Sequence, residues 1–311
     1  CKALSNYMCS LLKAAGIKAY YTLVHAGEEK DDRYMVEDFP SHQFNHVIVS
    51  IPFPKDTMWL ECTDQKLPAG YMSAFTCNRK ALMITENGGV LVSTPKYGIK
   101  DNLQTHNING KIDEEGNLNF KVNSVYKAIE QDDIYSIINV LSKENVKKFL
   151  NKEFDLSTYD INDFKYDIKK TALPEVDEEL DITVANYASV SGKRIFFFPN
   201  ILNRNKEKIL LEESRTSDYV FEVENKEEDS ISVEVPAGYQ VEAAPKDFSI
   251  KNKFGSYSIT SKMEGNKIIY HRLREQYAGR FSTSEGEQIA KFYADMYKYD
   301  HSRFVLVKKE G

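Results

Sequence analysis

An α+β chain is predicted from three observations. A single amphipathic helix opens the sequence, segments with the alternating pattern of strands dominate the rest, and the helical pattern returns only in two later stretches. At the start, Leu4, Tyr7, Met8, Leu11, Leu12 and Ala15 follow the spacing of one helical face. Gly16 stands where a glycine would end the helix. Cys1 therefore falls in the first turn, where unpaired N–H groups and the positive end of the macrodipole favour thiolate over thiol. A thiolate is the nucleophile of cysteine chemistry.

Residues 17–25 and 44–51 read as strands, 52–57 as a turn and 58–63 as a third strand. His46 and Glu61 are then expected on neighbouring antiparallel strands, about one rung from directly opposite. One imidazole nitrogen could face Cys1 while the carboxylate orients the other, which is the logic of a nucleophile, base and orienter. Asp64 is the alternative orienter, although alternation points it to the other strand face. The acidic run 27–33 reads as a solvated connector or as a flap over a cleft. Residues 81–84 and 90–92 flank Asn87-Gly88-Gly89 as a hairpin.

Beyond residue 98 the pattern is mostly β. Residues 103–112 and 118–129 form an expected hairpin across 113–117. A helical insert follows near 132–152, with Ile134, Ile137, Ile138 and Leu141 on one face and Ser142 as a cap for its second part. The acidic stretch 174–179 reads as a linker or strand edge. Strands are expected at 180–188, 193–198, 219–223, 231–235, 248–250, 257–263 and 267–273, the rhythm of an antiparallel sandwich. A helix over 284–297 and a strand over 304–307 close the sequence. Two domains are expected, 1–98 carrying the site and 99–311 rich in strands.

Several segments carry a resemblance. Cys1-Lys-Ala-Leu-Ser-Asn-Tyr7, Phe44-Asn-His-Val-Ile48 and Trp59-Leu-Glu-Cys-Thr-Asp64 resemble the core motifs of bacterial transglutaminase-like proteins. Leu82-Met-Ile84 with Gly88-Gly89, Val235-Pro-Ala-Gly-Tyr239, Phe254-Gly-Ser-Tyr257 and Phe304-Val-Leu-Val307 resemble the β-rich regions appended to multidomain members. The resemblance implies a papain-like core fragment, a Cys, His, Asp triad at Cys1, His46 and Glu61, and a following sandwich-type region. Glu61 departs from the family's Asp by one methylene. Family members place a domain and part of the catalytic fold before this Cys, so the chain is expected to be a fragment lacking any oxyanion donor from that part. The resemblance also implies an exported, periplasmic or cell-envelope location in a Gram-negative bacterium.

The implied activity is acyl transfer on peptide or carboxamide substrates through a thioester, hydrolytic rather than cross-linking. A peptide or protein is the expected partner. The contrasting expectation is a catalytically inactive scaffold or binding module of the envelope. A lipid anchor or an N-terminal nucleophile are further readings of Cys1, the former disfavoured because a helix begins at once.

Composition narrows the classes. With 41% hydrophobic and 28% charged residues the 311-residue chain is ordinary for a globular protein, and no apolar run has membrane-spanning length. A formal charge of −6 argues against phosphate-backbone binding. Four cysteines, Cys1, Cys9, Cys62 and Cys77, do not make a disulfide scaffold. His42 and His46 share a strand face with Cys1 and Cys62 conceivably near, but no metal-binding spacing accompanies them, and no metal or organic cofactor is implied. His106, His271 and His301 read as structural, and Arg272 and Arg274 as solvated.

Overall fold

The computed structural model describes residues 1–27, 35–39, 41–206, 209, 211 and 215–309. The acidic run 27–33, apart from Gly27, lies outside the described residues. The N-terminal unit holds α1 (Lys2–Ala14), β1 (Tyr20–Val24), β2 (His46–Pro52), β3 (Thr57–Leu60), β4 (Lys80–Thr85) and β5 (Gly88–Ser93). Its strands form one antiparallel sheet in the order β3-β2-β1-β4-β5.

Helix α1 ends as its sequence requires. Gly16 takes a φ of +76°, open to glycine without strain, and the N–H groups of Gly16 and Ile17 close onto the carbonyls of Lys13 and Leu12. Its buried face differs from the expected one. Ser5 is its one fully buried residue, while Leu4, Tyr7 and Leu11 are 48%, 64% and 47% exposed. The helix meets the sheet along a narrow line where Ser5 Oγ donates to the Val47 carbonyl at 3.1 Å. Beneath the sheet, Val24, Ile48, Trp59, Tyr71, Met72, Cys77, Ala81, Tyr97 and Ala128 form a small core.

The remainder holds β6 (Leu103–Ile112), β7 (Leu118–Lys127), α2 (Asp132–Val140), α3 (Lys143–Glu153), β8 (Tyr159–Lys169) and β9 (Glu175–Val184). It continues with β10 (Ser189–Ser191), β11 (Arg194–Phe197), β12 (Tyr219–Phe221), β13 (Asn225–Glu234), β14 (Tyr239–Ala243) and β15 (Phe248–Lys251). Then come β16 (Gly255–Glu264), β17 (Lys267–Gln276), β18 (Gly279–Phe281), α4 (Gly286–Asp300) and β19 (Phe304–Lys308). Eight strands form one sheet in the order β15-β16-β17-β13-β6-β7-β9-β8, and β10-β11-β19-β14 form another. Side chains of both sheets share a core that includes Ile108, Phe120, Val122, Ile231 and Tyr270 with Ile195, Phe197, Phe304 and Leu306. This layout is consistent with a β-sandwich.

The predicted α+β class with a papain-like core is therefore overturned. Of the described residues 43% are strand and 19% helix, spread over several sheets with few helices. The helical periodicity at the start was a local property of one short helix. What surrounds it is sheet rather than a helical layer, because alternation governs nearly every other segment.

Smaller corrections share one cause, that strand partners are not visible locally. The acidic stretch 174–179 is no linker: it enters β9, where Val176 and Glu178 are buried between β7 and β8. Strand β8 is not among the expected strands, because a register shift between Ile161 and Asp163 breaks its alternation. The sheet is not wholly antiparallel, since β6 and β13 pair in parallel across the chain's two halves. The hairpin from β6 to β7 does form, and Gly116 (φ +89°) is needed there because a Cβ would lie 2.3 Å from the Ala188 carbonyl oxygen.

Arg272 is not solvated. At 2% side-chain exposure it binds Glu227 and Asp229 on β13 and Asp300 at the end of α4, at 2.9, 3.0 and 3.1 Å. Asp300 also accepts from Tyr257 Oη, Asn200 Nδ2 and the Asn205 N–H. A buried cation surrounded by carboxylates ties α4 to the large sheet.

Candidate functional site

His46 is the first residue of β2 and is almost fully buried. The preceding residue fixes its position: Asn45 accepts from the Ala26 N–H and donates to the Ala26 carbonyl, both at 2.7 Å, extending the β1–β2 ladder by a side chain. Glu61 follows directly after β3. The register pairs Val49 with Leu60, so continuing it sets Glu61 level with Ile48, two residues along the strand from His46 and on the same face. The contact between them is therefore diagonal, and the longer side chain of Glu suits it.

The imidazole Nε2 donates to Glu61 Oε2 at 2.9 Å and lies 3.2 Å from Oε1. Both side chains are shielded, at 10% and 6% exposure. Glu61 Oε1 also accepts from the N–H of Thr63 at 2.9 Å and from its hydroxyl. Burial pushes the Glu61 carboxyl up, but the hydrogen bonds from His46 and Thr63 and the attraction of His46 outweigh it, leaving the group below the ordinary carboxylate range. The ring of Phe75 meets the imidazole edge-on with centroids 5.3 Å apart. With Nε2 committed to the carboxylate, Nδ1 is the nitrogen left to exchange a proton with a reactant.

Cys1 is the N-cap of α1, partly exposed, with no side-chain capping bond and no acidic residue in the first turn. No carboxylate of the helix's own first turn therefore offsets its positive end. Ser5, one turn on, fixes this end of α1 on Val47, the neighbour of His46. Lys2 and His46 line one cavity of about 490 Å³. Among the described contacts, Cys1 and His46 share no hydrogen bond.

Asp64 is not brought to His46. Its Oδ1 accepts from the N–H groups of Lys66 and Leu67, closing a turn. Cys62 lies beside Glu61, and its thiol is pushed up mainly by burial. Thr63, Phe75, Ser5 and Asn45 were not singled out from sequence. Asn45 and Thr63 lie inside the motif segments, and Ser5 is a small polar residue four positions from Cys1 and so on the same helical face.

Residues 193–306 match a protein family described as a domain of unknown function with a solved structure, DUF3858. No curated protein matches the chain. A solved structure described as a "putative protease" from Parabacteroides distasonis is similar at 13% identity and a TM-score of 0.43, over 97% of this chain and 43% of that one. The chain thus spans less than half the length of that structure. Among the described residues, no helix is long and apolar enough to cross a membrane.

Proposed function

We propose that the protein is a cysteine-dependent acyl-transfer enzyme acting on peptide or carboxamide substrates, with hydrolysis as the outcome. The observation that carries this reading is the shielded, ionised Glu61 holding Nε2 of His46, which leaves Nδ1 to act at the end of the sheet where α1 starts. The resemblance of the Cys1, His46 and Glu61 segments to transglutaminase-like motifs supports the same assignment. Cys1 as thiolate attacks the carbonyl carbon. His46 Nδ1 gives its proton to the departing amine as the C–N bond breaks. Water, deprotonated by the same nitrogen, then attacks the thioester; the C–S bond breaks, the acid leaves, and the Cys1 thiolate is restored beside the reprotonated imidazole. The Cys1 N–H is the first candidate donor to the oxyanion.

A second reading, a silent binding module, is favoured by one observation: no hydrogen bond joins Cys1 to His46 among the described contacts. Alkylation by iodoacetamide across pH separates the two. The enzyme reading expects rapid Cys1 modification near about pH 6 that is lost in His46→Ala. A rate that follows an ordinary thiol value of about 8.5 in both proteins would reject it.

A further inference from the structure

A cavity of about 680 Å³ adjoins the pair, walled on one side by Glu61, Thr63 and Phe75 and on the other by α2. Its two walls are fixed to each other. Asp132 at the start of α2 accepts from Tyr71 Oη at 2.7 Å and from the Ala74 N–H at 2.8 Å, and Lys66 Nζ donates to the Asn139 carbonyl at 2.8 Å. The cavity is therefore a built feature of the fold, continuous with the residues that orient His46.

Its charge is unbalanced. Glu61 is engaged with His46, Asp132 is engaged as above, and among the described lining residues the cation Lys66, held on a neutral carbonyl, offsets only one carboxylate. Asp64 retains an oxygen outside its turn, and Asp133 is exposed with no described partner. A second feature is independent of these carboxylates. Tyr135, which also lines the cavity, is 4% exposed, and its buried hydroxyl has no hydrogen-bond partner. A buried hydroxyl without a partner is unfavourable in the empty protein and calls for a ligand atom. Burial, and after it the charge of Asp64, push this phenol above its ordinary value.

We propose that this cavity receives a cationic side chain, that of Lys or Arg, from the peptide whose carbonyl reaches Cys1. The cation lies between Asp64 and Asp133 and donates to the Tyr135 oxygen, while its aliphatic stem runs along Phe75. That the cation belongs to a peptide substrate rests on the acyl-transfer reading; that the cavity prefers a cation does not.

The test is a titration of the whole chain with N-acetyl-lysine N-methylamide, with N-acetyl-norleucine N-methylamide as the neutral control of similar shape, read by calorimetry. The lysine probe is expected to bind at least about tenfold more tightly, Asp133→Asn to remove most of that preference, and Tyr135→Phe to weaken the lysine probe several-fold without lowering the melting temperature. Equal binding of the two probes, binding of neither, or no change in both variants would overturn the proposal. Repeating the titration with Cys1→Ala separates the two readings. In that variant the preference is read as binding alone; a wild-type protein that prefers lysine but never turns over a lysine peptide amide leaves the cavity assignment standing and removes the acyl transfer, and wild-type turnover indifferent to the side-chain charge does the reverse.

Discussion

His46 Nε2 and Glu61 Oε2 lie 2.9 Å apart on a diagonal across β2 and the end of β3, and the separation sets the length of carboxylate that can serve there. Glu61→Gln keeps the shape but removes the charge that steadies an imidazolium. Acyl-transfer kcat/KM should fall by about two orders of magnitude, with the far-ultraviolet circular dichroism unchanged. Glu61→Asp should also lose activity, because the shorter chain cannot span the diagonal. Asp64→Asn should leave the rate with a substrate carrying a neutral side chain, such as norleucine, within about threefold. A larger loss from Asp64→Asn than from Glu61→Gln would transfer the orienting role.

Ser5 gives α1 its anchor. Ser5→Ala removes the donor to the Val47 carbonyl, and stability in urea should drop by about 1–2 kcal/mol. The alkylation rate of Cys1 at neutral pH should drop with it, since the helix start is no longer fixed beside β2. An unchanged rate would show that other contacts seat α1.

Asp132 makes stability depend on pH. Burial raises its carboxyl from 3.8 to about 6, against the hydrogen bonds from Ala74, Tyr71 and Gln131 that favour the charged form. The folded protein thus holds this proton more tightly than the unfolded chain. The resulting stabilisation is complete below about pH 4 and is lost as pH rises through about 6, at most about 3 kcal/mol in all. Urea melts between pH 4 and 7.5 should show wild type losing ground to Asp132→Asn with rising pH. A constant difference would contradict the assignment.

The Arg272 cluster should dominate the stability of the sandwich. Asp300→Ala leaves Arg272 short of one carboxylate and strands Tyr257 Oη, and a loss of about 3–5 kcal/mol is expected in chemical denaturation. A loss below about 1 kcal/mol would mean that the remaining carboxylates suffice. Neither outcome should alter the alkylation profile of Cys1, because the cluster lies in the larger core.

Much of the local structure was legible in the residues. The stop at Gly16, the turn between β2 and β3, the hairpins from β4 to β5 and from β6 to β7, the cap at Ser142 and the closing helix and strand follow from periodicity and turn chemistry, which act over a few residues. The candidate pair was legible too, since a turn of known span limits which residues of two strands can meet.

Sequence alone thus determined the short-range facts: where strands and helices begin, and that His46 and Glu61 come within reach. Tertiary structure decided the rest. It made the chain β-rich, joined β6 to β13 across more than a hundred intervening residues, buried Arg272, left Leu4, Tyr7 and Leu11 outside, and set α2 opposite Glu61 to enclose a cavity. The physical reason is that burial and charge pairing belong to surfaces brought together in space, and an amphipathic or charged residue carries no local record of which surface it will face.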